Sequence, residues 1–371
     1  MPTVLITGGA GFIGSHLTDE LLAHEYQVRI LDNLCPQVHG PEQQRPNYLD
    51  RRAELQVGDV RDPSAVRRAL QDVDVVVHLA AAVGVGQSMY MIREYTEINN
   101  IGTAVLLEEL PKLGIKKLVV ASSMSIYGEG RYRDDAGALY DSAERSHDDL
   151  KAGRWEPRSP NGAALSPIPT PEDKKPALSS VYALSKYDQE RLCLMIGRAH
   201  GIPTVALRFF NTYGTRQALS NPYTGVLAIF ASRLLNGKSP MVFEDGQQRR
   251  DFVSVHDVAR ACRLAIESER AAYRAINVGS GRSVSVNDVA RSLAEILEKP
   301  ALAPEVTGKH RVGDIRHCFA DVSLAKELLG FVAEIPLTQG LVQLGQWLRA
   351  ERPVDRTETA RRELETRGLT L

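Results

Sequence analysis

Tyr182 and Lys186 stand four positions apart in the run Val181-Tyr182-Ala183-Leu184-Ser185-Lys186, a spacing that puts both side chains on one face of a helix. A phenol with its ordinary pKa of about 10 is a poor base at neutral pH, but a neighbouring ammonium favours its ionised form. Such a pair can take a proton from an alcohol and give it back. Ser122-Ser123-Met124-Ser125-Ile126-Tyr127-Gly128 follows an apolar run that starts at Lys117. Hydroxyls at the carboxyl edge of a strand reach ligand oxygens in open α/β sheets. Either pattern alone is common, and a third motif near the N-terminus gives them weight.

Thr7-Gly8-Gly9-Ala10-Gly11-Phe12-Ile13-Gly14 follows the β-branched run at residues 3–7 and opens a segment where Phe12, Ile13, Leu17, Leu21 and Leu22 recur at helical spacing. Strand, glycine turn and helix form the context in which glycines cradle a pyrophosphate. Gly8 permits the tight turn, Gly11 lets backbone approach the phosphates, and Gly14 allows close helix packing. Free amides at the helix start attract the anion. Asp32 lies 18 positions after Gly14, at the end of the second apolar run. A carboxylate there accepts hydrogen bonds from an adenosine ribose and repels a 2'-phosphate, so NAD is expected over NADP. Asp59, after the third run, is expected to face the adenine.

The elements that must position these groups alternate along the chain. Apolar runs at Val28 to Leu31, Leu55 to Val57, Val73 to Leu79, Lys117 to Ser122 and Thr204 to Phe209 are separated by helical stretches, among them 97–112 and 180–200. This predicts an α/β fold, a doubly wound parallel (Rossmann) sheet with a smaller C-terminal α/β lobe. Residues 1–210 are expected to hold the dinucleotide, with 247–279 returning to that domain. Residues 211–246 and 280–371 are expected to form the substrate lobe. Residues 129–178 read as a long insertion with little periodicity, and the charged tail 350–371 as a solvated helix or frayed end.

Composition excludes other classes. A formal net charge of -1 over 371 residues, with Lys and Arg spread along the chain, gives no footprint for nucleic acid or anionic membrane. No run of about 20 apolar residues could span a bilayer. Cys35, Cys193, Cys262 and Cys318 are far apart and show no metal-ligand spacing, so no metal is expected and reduced thiols are the simplest reading. The first strand starts at Thr3 with no leader pattern ahead of it, which leads to an expectation of a cytoplasmic protein.

With TGGAGFIG, the DN after strand two, GDVRD at 58–62, HLAA at 78–81, SSMSIYG at 122–128, YALSK at 182–186 and RFFNTYG at 208–214, the chain resembles the extended short-chain dehydrogenase/reductase family. The likeness continues through RRDFVSVHDVA at 249–259, NVGSG at 277–281 and HRVGDIRH at 310–317. It implies tightly held NAD, a nucleoside-diphosphate sugar bound between two lobes, and a homodimer joined through two helices per subunit. By that resemblance Ser123, Tyr182 and Lys186 are the catalytic trio. Gly8, Gly11, Phe12, Ile13, Gly14, Asp32, Asn33, Asp59, Val60, Leu79, Ala80, Ala81, Asn99, Ser122 and Phe209 join Tyr182 and Lys186 around the cofactor. Ser123, Ser125, Asn211, Arg250, Arg311 and Asp314 are expected on the substrate side, where guanidinium forks suit a pyrophosphate.

The reaction is narrowed by two positions. Sugar 4,6-dehydratases of this family carry an Asp-Glu pair where this chain has Met124 and Ser125, and its decarboxylases carry Glu at the position of Ser125. A thioether cannot transfer a proton and a hydroxyl is a weak acid. A 4-epimerase needs only a base for the C4 hydroxyl, NAD to oxidise C4 reversibly, and room for the 4-keto sugar to present its other face. The 55-position interval from Tyr127 to Tyr182 and the segments around Asn211 and Arg250 resemble the dTDP-L-rhamnose 4-epimerases, which make dTDP-6-deoxy-L-talose. The alternative is a UDP-glucose/UDP-galactose-type 4-epimerase, or another nucleotide-sugar dehydratase or reductase.

Overall fold

The computed structural model describes residues 1–141, 143, 145–311 and 313–370; positions 142 and 144 of the insertion, Val312 and Leu371 lie outside the described residues. Seven strands form one sheet: β1 (Thr3–Thr7), β2 (Gln27–Asp32), β3 (Glu54–Val57), β4 (Val75–His78), β5 (Lys117–Ser123), β6 (Thr204–Phe209) and β7 (Arg274–Val278). Their order is β7-β6-β5-β4-β1-β2-β3, and every pairing is parallel. β4 and β5 are buried along their whole length, which is why they read as unbroken apolar runs and not as alternating ones.

Helices cover both faces, as parallel crossovers require. On one side α1 (Phe12–Ala23) packs against α5 (Val255–Glu267) through Leu17, Leu21, Val258 and Cys262. On the other lie α2 (Pro63–Ala69), α3 (Gly102–Glu109) and α4 (Val181–Ala199), with Val66, Leu106 and Leu194 in the core. The chain reverses direction across the sheet between β1 and β4, and the crevice at that switch point is where open α/β sheets bind ligands.

A second core gathers Phe230, Val242, Phe252, Leu293, Leu341 and Leu344 from helices Val226–Leu235, Val286–Ile296 and Leu337–Leu348 and the strands beside them. The RRDFVSV segment at 249–255 forms two short strands, Arg249–Arg250 and Phe252–Ser254, which pair with different partners. Asp251 between them is buried and accepts hydrogen bonds from the Ser280, Gly281 and Ala320 amides, so the chain is pinned at the break.

Two expectations change. The 129–178 segment is not a bare loop: strands Arg131–Arg133, Leu139–Tyr140 and Ser166–Ile168 pair antiparallel, and an ionic network anchors it to the second lobe. Arg145 reaches Glu129 at 3.2 Å and Glu244 at 2.6 Å, while Arg316 joins Glu244 at 3.0 Å, Asp245 at 2.6 Å and Glu156 at 2.5 Å. The tail takes the helical of its two expected forms, but the helix is docked and not simply solvated. Helix α6 (Thr357–Thr366) buries Ala360 and Leu364, four positions apart, and Leu364 lies against Gly86 of the first lobe. Glu363 accepts hydrogen bonds from Tyr90 in the first lobe at 2.7 Å and Tyr223 in the second at 2.8 Å. Arg367 stacks 4.3 Å over the Tyr90 ring.

Candidate active site

The turn after β1 is built for a close approach. Gly8 has φ +70°, and a Cβ there would lie 2.8 Å from the Ala80 nitrogen at the end of β4. At Gly14 a Cβ would meet the Gly8 oxygen at 2.5 Å. Gly11 differs: a Cβ there would meet only the Gly8 oxygen, at 3.4 Å, so its other side is open. Helix α1 starts here with no side-chain cap, and its first amides are free to hold an anion.

That opening is one end of a cavity of ≈530 Å³, within the range of small-molecule sites. Gly8, Gly11, Phe12, Ile13, Gly14, Asp32, Asn33, Asp59, Val60, Leu79, Ala80 and Ala81 line it. Asp32 accepts the Ala10 amide on one oxygen at 3.0 Å and the Leu34 amide on the other at 2.9 Å, leaving lone pairs for a ribose. Hydrogen bonds from Arg61, working against burial, hold the Asp59 carboxyl down at about 2, and Asn33 donates to it at 3.1 Å. Groove, free amides and carboxylate together fit a dinucleotide.

At the other end β5, α4 and β6 bring Ser122, Ser123, Ser125, Tyr182, Lys186, Phe209 and Asn211 to the same cavity wall. Ser180 caps α4 by accepting the Ala183 amide at 3.1 Å, so Tyr182 and Lys186 fall in its first turns. Burial raises the Tyr182 phenol, and a hydrogen bond with Ser123 opposes that rise. Ser123 in turn accepts from the Ser125 hydroxyl at 2.9 Å. Burial lowers the Lys186 ammonium to about 8. The Asn211 side-chain oxygen is buried with no partner among the described residues, an acceptor open to a ligand donor. Ser122 lies in the wall but gives its hydroxyl proton to Glu190 at 2.6 Å.

Other expected site residues stand back from the wall. Asn99 is fully buried in a π-helical turn, Thr96–Ile101, and does not line the cavity. It accepts the Ala82 amide at 2.7 Å and donates to Ser185 at 2.8 Å, tying the β4 turn to α4. Arg250 points its fork at the carbonyls of Arg249, Ile315 and Arg316, and Arg311 pairs with Asp314 at 3.1 Å and stacks 4.5 Å over Phe243. Against burial, Arg311 and Arg250 hold the Asp314 carboxyl below its ordinary range. The three are brought to one loop cluster, but their charged groups are engaged by protein atoms and none belongs to the cavity lining.

Sequence reasoning missed several wall residues. Gln87 and Tyr95 line the cavity, with the Tyr95 hydroxyl 3.2 Å from the Gln87 oxygen. Gln217 and Tyr223 line it from the second lobe, and the Gln217 oxygen is buried without a partner among the described residues. Gln217 stands six positions after Asn211 in a segment already singled out, a usable signal; Tyr223 offered none.

Comparison with known proteins agrees with this geometry. The family described as "NAD dependent epimerase/dehydratase family" matches residues 4–279. A dTDP-L-rhamnose 4-epimerase from Burkholderia thailandensis is 34% identical over 353 residues, covering 94% of this chain and 95% of that one. A UDP-N-acetyl-alpha-D-glucosaminuronate decarboxylase from Bacillus cytotoxicus is 31% identical over 352 residues, covering 93% and 97%. Among solved structures, the UDP-glucose 4-epimerase of Thermus thermophilus in complex with NAD has a TM-score of 0.74 at 30% identity, covering 94% of this chain and 100% of that one. Relatives with different reactions are thus similar to nearly the same degree, and identity alone does not select among them.

Proposed function

The chain belongs to the NAD dependent epimerase/dehydratase family, and from that premise we propose that its reaction is inversion at C4 of a nucleotide-linked hexose, dTDP-L-rhamnose to dTDP-6-deoxy-L-talose. The observation that carries the reading is the convergence of Ser123, Tyr182 and Lys186 on one cavity wall, with Met124 and Ser125 where elimination or decarboxylation would call for an acid. Bound NAD supplies the reversible oxidation at C4. Tyr182 takes the O4 proton and later returns it. Lys186 stabilises the phenolate by charge, and Ser123 holds the oxygen at C4 through its hydroxyl. Between the two proton transfers the 4-keto sugar turns about its diphosphate tether. The residues that hold the cofactor are those of the β1 turn, Asp32, Lys186 and Phe209; those that hold the nucleotide sugar are Asn211, Arg250, Arg311 and Asp314, with Arg250 releasing its loop carbonyls and Arg311 turning from Asp314 as the ligand enters.

The finer assignment, deoxythymidine and a 6-deoxy sugar, is supported by the long interval from Tyr127 to Tyr182 and the segments around Asn211 and Arg250, taken together with the similarity to the Burkholderia enzyme. The test is to incubate the purified protein with dTDP-L-rhamnose and, separately, with UDP-glucose and UDP-galactose, and to identify products by NMR. Formation of the talose nucleotide supports the assignment. Interconversion of only the UDP sugars replaces the substrate, and accumulation of a stable 4-keto product replaces the reaction.

The active form in this reading is a homodimer. Leu184 and Met195 are 47% and 57% exposed on one face of α4, and Ile101, 52% exposed, adds to the apolar surface from the neighbouring helix. Asn100 fixes the two helices by donating to Asp188 at 2.6 Å. Light scattering on wild type and Met195→Glu tests it: a dimer that becomes a monomer supports this face, and a wild-type monomer rules it out. No helix among the described residues is long and apolar enough to cross a membrane.

A further inference from the structure

Lys186 is buried, yet no carboxylate among the described residues takes its charge. The acceptor its ammonium finds is the side-chain oxygen of Gln189, at 2.6 Å, one turn further along α4. The nearest carboxylate on that helix, Glu190, is already held by Arg208 at 2.9 and 2.6 Å and by the Ser122 hydroxyl. The groups whose charge bears on Lys186 are therefore Glu190 and Cys193 from its own helix and His78 from β4, and Tyr182 stands one turn earlier on the same face of α4.

The orientation of Gln189 follows from a chain of donors and acceptors. Thr103 gives its one hydroxyl proton to the Asn99 carbonyl at 2.6 Å, so toward Gln189 Nε2 at 2.8 Å and His78 Nε2 at 2.9 Å it accepts. His78 then carries its proton on Nε2, and its Nδ1 accepts from Thr7, at the end of β1, at 2.7 Å. Burial and the Lys186 charge lower the His78 imidazole to about 3, which keeps it neutral. Turned over, the Gln189 amide would set its NH₂ against the Lys186 ammonium and lose the donor that faces Thr103 at 2.8 Å and the Ala80 carbonyl at 3.5 Å.

We propose that Gln189 is a positioning residue for the reaction, its oriented amide holding the Lys186 ammonium in the cavity wall as a neutral partner so that the full positive charge acts on Tyr182. A carboxylate in the same place would hold the lysine as well but cancel the charge. This rests on the assignment of Tyr182 as the base.

The test compares wild type, Gln189→Glu, Gln189→Met and Tyr182→Phe as holoenzymes, with the nucleotide sugar that wild type interconverts. The acid limb of the kcat–pH profile reports ionisation of Tyr182, and NMR of ¹³C-labelled lysine reports Lys186 independently of activity. Gln189→Glu is expected to move the acid limb up by about one pH unit or more and to raise the Lys186 titration point. Gln189→Met, similar in size and without the acceptor, is expected to lower kcat at least about 10-fold with KM changed less, because only charge placement is lost. If neither variant moves the acid limb or the lysine titration while Tyr182→Phe is inactive, Gln189 is packing alone and the proposal is wrong. Should Tyr182→Phe keep its turnover, the fault lies with the proposed function instead. If Gln189→Glu does not fold, Thr103→Val takes its place: it frees the amide to rotate and must shift the lysine titration, or the proposal fails.

Discussion

The Asp32 carboxylate accepts the backbone amide of Ala10 at 3.0 Å, so the residue expected to hold the ribose also braces the glycine turn that faces the phosphates. Its second oxygen accepts the Leu34 amide at 2.9 Å. Replacing Asp32 by Ala should therefore cost in two ways: at least about 10-fold in NAD affinity, and about 3 kcal/mol or more of stability in the apo protein, since two hydrogen bonds to a charged group are lost at roughly 1.5 kcal/mol or more each. Isothermal calorimetry and urea unfolding separate the two losses.

Gly11 and Gly14 should behave differently although both belong to the same motif. Gly14→Ala drives a Cβ to 2.5 Å from the backbone of Gly8 and Gly9, and about 3 kcal/mol or more of destabilisation is expected from overpacking backbone that cannot yield. Gly11→Ala has room in the protein and should fold within a few tenths of a kcal/mol of wild type, losing NAD affinity instead. Thermal melts with and without NAD check both.

Tyr182→Phe should retain NAD and lose at least about 100-fold in kcat, the usual worth of a proton-transfer group. Near-normal turnover would discard the assigned base.

Lys186 makes apo stability depend on alkaline pH in a defined direction. Its folded pKa is lowered to about 8 by burial while the unfolded value is 10.5, so between these the unfolded chain binds more protons and stability rises with pH. Below pH 8 both states are protonated and the burial cost is fully present. Wild type should thus gain stability relative to Lys186→Met as pH rises from about 8 to 10, measured by urea unfolding at each pH.

The slope has the same sign on the acid side, at His78 and His16, both lowered from 6.5 to about 3 by burial. Each must charge on unfolding, so their contribution is intact above pH 6.5 and is lost as pH falls toward 3. His78→Leu, which removes one of the two groups that take up a proton on unfolding, should flatten the loss in this window relative to wild type, measured by urea unfolding at each pH.

What the sequence made legible was local. β1, the glycine turn and α1 follow from adjacent residues, and Tyr182 and Lys186 share a face because the period of a helix says so. The parallel sheet followed from unbroken apolar runs such as Val75–His78. The insertion was opaque because its strands have two or three residues each and pair across distance, as Arg131 does with Ile168. In α6 only Ala360 and Leu364 are buried among charges, too few for a visible stripe, and the bond from Tyr223 to Glu363 joins positions 140 apart. Arg250 shows a different limit: residue type identifies a fork that suits a diphosphate, but not that the fork rests on loop carbonyls.

The bridge made by Glu363 and Leu364 has a bearing on how the molecule comes into being. Translation delivers the nucleotide turn, the reacting tyrosine and the far wall long before it delivers residues 357–366, so a nascent chain still on the ribosome has every chemical group of the cleft without the tie that Glu363 makes between Tyr90 and Tyr223. This link between the halves is thus added only after the reactive groups are already in place.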